Sequence, residues 1–187
     1  MYKIGILVAA VLFVVGALYL AISASNHATH DMSDGGHLAH ELTITSEQTF
    51  FEHMIPHHQE AVASAEVLLQ QGTTFRPLAE LAEDIIAGQT VEIAQMNSWY
   101  QTWYGAPYED RGVYAPMMRP LAELSGTEFE RAFLEDMILH HEAAVAAART
   151  VLKLSISTET EGLASNIIID QEAEIALMQE LLSLLPK

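Results

Sequence analysis

The 187-residue chain contains no cysteine, which excludes a disulfide framework and any thiolate metal site. Basic residues are scarce: 8 Lys and Arg stand against 25 Asp and Glu, for a net charge of −17. A phosphate backbone needs a basic footprint, so a nucleic-acid partner is excluded. Alternating apolar and polar residues, the mark of half-buried strands, do not occur over any useful length. Also missing are a Gly-rich phosphate loop, a Ser-His-Asp order and any Glu-x-x-His. The last absence argues against a di-iron carboxylate bundle, which carries that motif on two helices.

What the chain does have is an internal repeat. The segment at 50–62 reads FFEHMIPHHQEAV and the segment at 133–145 reads FLEDMILHHEAAV, so Met54 matches Met137 and His57-His58 matches His140-His141. A second block, II-x-x-Q-x-x-EI-x-x-M, begins at Ile85 and again at Ile167, in nearly the same register. Each copy therefore supplies Met, His-His, Gln, Glu and Met.

Residues 4–22 form an apolar run preceded by Lys3 and followed by no positive charge until Arg76. Its length approaches the ~20 residues that span a bilayer, and the charge asymmetry leaves the body outside the cytoplasm. Small residues around Ala21 to Ser25 keep a cleaved signal as the alternative. Residues 1–24 are read as that anchor or signal, and 25–44 as a polar linker carrying His27, His30, Met32, His37 and His40. These five are weaker metal candidates, suited to a flexible capture arm.

Four helices should follow within 45–187, the first repeat covering 45–104 and the second 127–185. Thr45-x-x-Gln48, Thr127-x-x-Glu130 and Thr158-x-x-Glu161 read as capping boxes, and Pro77 suits a first turn. The helices should end near Gln71, Tyr104, Leu154 and before Pro186, with 105–126 a long connection. The expected fold is all-α, two repeated αα-hairpins closing into a four-helix bundle. Pro56 is anomalous: it either kinks the first helix, freeing the Glu52 carbonyl, or begins the helix proper.

Residues three and four apart share a helix face, so Met54 can converge with His57 and His58, and Met137 with His140 and His141. Glu92 with Met96 and Glu174 with Met178 pair likewise. Counting from each turn sets the level. His58 stands as far before Gln71 as Thr90, flanked by Gln89 and Glu92, stands beyond Pro77. His141 stands as far before Leu154 as Gln171 stands beyond Thr158. Each His pair should therefore face the Gln-Glu-Met block of its own hairpin. A lone histidine or methionine stripe is usually packing, but matched positions in two repeats point to metal. Thioether and imidazole donors favour copper, Cu(I) above all, with Cu(II) or Zn as further options. Trp99 and Trp103 read as packing or a dimer face, and Met117-Met118 as gap-filling or an extra soft pair.

The motif MIPHHQ-x-AV with its following Q-x-x-EI-x-x-M resembles the family known as domain of unknown function 305, over about 45–185 in both halves. The resemblance implies a ferritin-like four-helix bundle and is similar to members described as periplasmic copper-binding proteins linked to copper tolerance. It supports Met54, His57, His58 and Met96, together with Met137, His140, His141 and Met178. Family members often carry Asp before the motif Met; here that is Asp136, whereas the first half has His53, an added candidate ligand. The expected function is an extracytoplasmic, membrane-tethered protein that sequesters, buffers or hands over copper without turnover. Its partners would be the metal, the membrane through 4–22, and a copper transporter or another copper protein. The alternative is a metal-dependent oxidoreductase using the same site.

Overall fold

A computed structural model describes residues 44–112 and 114–186. The apolar run at 4–22 and the linker histidines His27, His30, His37 and His40, with Met32, lie outside the described residues.

The described residues contain four helices and no strand: α1 Glu47–Gln71, α2 Arg76–Tyr104, α3 Gly126–Val151 and α4 Thr158–Leu184. Two short turns make two αα-hairpins, α1 on α2 and α3 on α4. The hairpins meet mainly through α1 and α3, while α2 and α4 touch only slightly. This is the expected bundle, with the two repeats as its hairpins.

The helix starts differ from the predicted boxes. Ser46, not Thr45, caps α1: its hydroxyl accepts from Thr49 N at 3.1 Å, and Thr49 Oγ1 accepts from Ser46 N at 3.0 Å. A hydroxyl at the third helical position thus does the work expected of Gln48, whose amide instead reaches Glu52 and Tyr100. α3 begins after Ser125 without a side-chain cap, and Glu130, expected to form a box with Thr127, instead accepts from the Thr73 hydroxyl in the α1–α2 turn. Ser157 caps α4 through Thr160 N, and Glu47 on α1 in turn accepts from Ser157 N and Oγ. α3 ends at Val151 rather than Leu154; the last residues tighten into i→i+3 bonds, Leu154 N to Val151 O at 2.9 Å.

α1 runs unbroken through Pro56, so the helix does not begin there. Proline has no N–H to give to the Glu52 carbonyl. The Tyr108 hydroxyl, from the long connection, donates to that carbonyl at 3.4 Å, so the freed acceptor is taken by the strap that crosses α1.

The interior holds two apolar clusters. One end of the bundle packs Phe50, Phe51, Met54 and Met96 with Ala148, Val151 and Ile167. The other packs Leu68, Leu78 and Ile85 with Phe129, Phe133, Met137 and Met178. Each burial of an aliphatic or aromatic side chain here contributes about 1.5–3 kcal/mol. Trp99 and Trp103 stack at 5.4 Å between ring centres, and Trp103 lies against Phe51 at 5.8 Å. Between the two clusters lies a polar layer.

Candidate metal centre

The layer consists of His57, His58, Gln89, His140, His141 and Gln171, all buried. α1 and α3 place the histidines there because the repeat puts equivalent residues on the faces by which these helices meet. His58 Nε2 lies 2.9 Å from Glu92 Oε2 on α2, and His141 Nε2 lies 2.8 Å from Glu174 Oε2 on α4. The level deduced by counting across each hairpin is the level found. An ionised carboxylate only accepts, so each bond fixes a hydrogen on Nε2 and, in the neutral ring, leaves the lone pair on Nδ1. Both Nδ1 atoms are buried with no partner.

His57 and His140 meet across the pseudo-symmetric contact of α1 and α3, ring centres 3.6 Å apart and planes tilted by 35°. His57 has both ring nitrogens buried and unpaired. Burial, then the neighbouring imidazoles, holds His57 well below the ordinary histidine range; burial lowers His140 too, against the opposing pull of Glu60. Both rings are therefore neutral donors at physiological pH.

Sequence reasoning missed Glu60 and Tyr114. Glu60 accepts from the Tyr114 hydroxyl, and from Met117 N and Met118 N at 3.0 Å each, and its Oε2 lies 3.2 Å from His140 Nε2. Burial raises its pKa, but the hydrogen bonds from His140, Tyr114, Met117 and Met118 outweigh that and bring it to about 2. Tyr114, whose ring centre is 5.8 Å from that of His57, is pushed up by burial and by Glu60. The one signal available was a break in the repeat, since Ala143 occupies the position matching Glu60. Asp170 is also near the layer: burial, then Glu92 and Glu174, raises its pKa.

The predicted donors fall into groups. His57, His58, His140 and His141 come together. Met54 and Met96 lie buried in one apolar cluster, and Met137 and Met178 in the other. Glu92 and Glu174 orient the rings of His58 and His141. Asp136 does not join them: Arg119 grips both its oxygens, with Nε at 2.9 Å and Nη2 at 2.6 Å, and Arg119 N adds a bond at 2.9 Å. An arginine in the connection thus takes up the carboxylate expected as a ligand. His53 is half-buried, its Nδ1 unpaired. Met118 packs on the apolar cluster, and Met117 is exposed.

Among the described residues, every buried side-chain nitrogen or oxygen lacking a partner belongs to five histidines and two glutamines, and all but His53 are in the layer. Such groups cost roughly 1–3 kcal/mol each. Their sum rivals the ~5–15 kcal/mol that stabilises a whole domain, so the layer is poorly explained as packing. Neutral imidazole beside thioether is the donor chemistry of a soft or borderline metal. Among the described residues no three His, Asp or Glu side chains already converge as a donor set, so carboxylates and imidazoles alone do not close a site.

The sequence profile described as "Domain of unknown function (DUF305)" matches residues 47–182. The chain belongs to this family. It is similar to CopM solved with Cu(I) bound, at 36% identity over 73% of this chain and 94% of CopM, with a TM-score of 0.67. The Cu(II)-bound form of CopM matches at 34% identity over 74% and 96%, TM-score 0.66. A DUF305 protein of Streptomyces coelicolor, provisionally described as secreted, matches at 26% identity over 74% and 93%, TM-score 0.65. No curated protein sequence matches the chain.

Proposed function

We propose that this chain is an extracytoplasmic copper-binding protein that sequesters, buffers or hands over copper, with the metal as cargo and no turnover of its own. The observation that carries the reading is the pair of histidines, His58 and His141, each held through Nε2 by a glutamate with Nδ1 buried and free. Metal-binding histidines characteristically give their other ring N–H to a carboxylate, which fixes orientation and raises basicity. A methionine one turn earlier on the same helix, Met54 or Met137, and one on the partner helix, Met96 or Met178, all four buried, would complete a soft set in each hairpin. Glu92 and Glu174 act as the orienting carboxylates. Thioether and imidazole together select Cu(I) over harder ions. CopM, the relative solved with copper, supports the assignment of cargo. The apolar run at 4–22 would hold the bundle at the outer face of the membrane, and the 27–40 histidines and methionine would capture ions weakly. A copper transporter or another copper protein would receive the ion.

Cu(I) counting by competition with a chromophoric chelator tests this. The full chain should bind one tight ion per hairpin, and His58→Ala with His141→Ala should lose both while keeping the weak background. Equal tight binding by both proteins would overturn the reading.

A further inference from the structure

The end of the bundle at which α1 begins and α2 finishes breaks the repeat. In the register of the second block, Trp99 and Trp103 are matched by Leu181 and Leu185. Those leucines are buried, whereas Trp103 is 36% exposed and Trp99 is half-buried. The two indoles stack almost in parallel, 6° between their planes, and both lie against the ring of Phe51. Tyr104 and Tyr108, also half-buried, pack on the same apolar cluster. Leu152, just past the end of α3, is exposed at this end as well. Ile44, the first described residue, is buried in that cluster, so the chain enters the bundle here. Before it in sequence come the linker and the apolar run at 4–22. Indole and phenol rings, apolar in body and polar at one edge, are the side chains that gather where a bilayer meets water.

We propose that this aromatic end, Trp99 and Trp103 with Tyr104 and Tyr108, rests on the lipid headgroup interface of the membrane that the 4–22 run enters. The inference rests on the tethering part of the reading above and is independent of the metal the bundle carries. The linker joins the run to Ile44 at the aromatic end, so tethering keeps that end near the bilayer at an effective concentration on the order of millimolar. A patch of two indoles then suffices where an untethered bundle would need a larger one. The surface it fits is zwitterionic, since Glu159 and Glu161 are exposed in the first turn of α4 and Lys153 is exposed beside Leu152. Other acids at this end bond to the protein, Glu47 to Ser157 and Glu52 to Tyr100. Docking this way sets the histidine layer about 15 Å above the headgroups, from the rise of ~1.5 Å per residue between Glu47 and His57. That height keeps the cargo within reach of a membrane-embedded acceptor.

The chain has 2 tryptophans and both are on this face, so tryptophan fluorescence reads the face and nothing else. The full chain is reconstituted into phosphatidylcholine vesicles whose acyl chains either carry bromine, a short-range quencher, or do not. Emission should fall in the brominated vesicles and be shielded from acrylamide in both kinds. Trp99→Phe, which leaves Trp103 as the sole reporter, should show the same loss. Trp103→Glu changes an exposed side chain; it should still float with the vesicles through the 4–22 run while Trp99 escapes quenching. Equal emission in the two kinds of vesicle would overturn the proposal, and so would quenching that survives Trp103→Glu. Tryptophans shielded from acrylamide yet untouched by bromine would overturn it in favour of a second copy of the chain on this face. A chain that does not float with vesicles at all would overturn the tethering reading and the docking with it, leaving the copper assignment in place.

Discussion

The two repeats carry the same Met, His-His, Gln, Glu and Met, yet three of the mismatches around the histidines set their surroundings apart. Glu60 is matched by Ala143, Pro56 by Leu139, and His53 by Asp136. In the first repeat Pro56 is buried, its freed carbonyl is taken by Tyr108, and Glu60 holds Tyr114. In the second, Leu139 is exposed, and Asp136 is the anchor for Arg119. Tyr108 on the Glu52 carbonyl, Tyr114, Met117 and Met118 on Glu60, and Arg119 on Asp136 all belong to the connection between α2 and α3. What is shared by the repeats builds the histidine layer, and what differs straps one loop across it. Shared residues therefore mark the metal chemistry, and unshared ones mark the closure.

That division can be broken at several points. Phe50 and Phe133 are matched and fully buried in opposite apolar clusters. Either one changed to Ala should cost about 3–5 kcal/mol, and by similar amounts, in denaturant unfolding of the metal-free chain. Markedly unequal losses would mean that the hairpins are not equivalent scaffolds. Arg119→Ala should destabilise by about 2 kcal/mol, since it leaves the buried Asp136 carboxylate short of its main partner. No such loss is expected from His53→Ala, its counterpart position, and the same unfolding experiment compares the two. Ser46→Ala should cost about 1 kcal/mol because its cap is made, whereas Ser125→Ala, whose side chain caps nothing, should cost a few tenths at most.

The pH-dependent part of the comparison belongs to Glu60. Its folded pKa of about 2 lies below the ordinary 4.5, so the unfolded chain binds this proton first as pH falls. Its contribution is complete above about pH 4.5 and drains away towards pH 2. His57 and His140, lowered by burial, add a separate loss that starts below their ordinary value of 6.5, because the unfolded rings charge while the buried ones stay neutral. Unfolding curves from pH 7 to pH 3 should show both windows in the parent chain. Glu60→Ala should remove only the lower one, and its persistence would detach the acid sensitivity from the strap.

Much of this was legible in the sequence because it is periodic. The helices, their hairpin pairing and the level at which His58 meets Glu92 follow from spacing and rise alone. Caps were misplaced because Thr45 and Ser46, or Thr158 and Ser157, offer the same hydroxyl one residue apart, and tertiary partners such as Thr73 for Glu130 decide between them. Glu60 and Tyr114 were missed since a loop residue has no period and a repeat search rewards matches, not the mismatch that Glu60 makes with Ala143. Asp136 looked like a donor by its place beside Met137; only the folded connection brings Arg119 to it.

X-ray absorption at the copper edge of the Cu(I)-loaded full chain tests the central claim most directly. Mixed sulfur and nitrogen scattering is expected, with the sulfur contribution falling when Met54, Met96, Met137 and Met178 are all changed to Leu. A shell of nitrogen and oxygen only, unaffected by those four changes, would contradict the account and remove the methionines from the copper site.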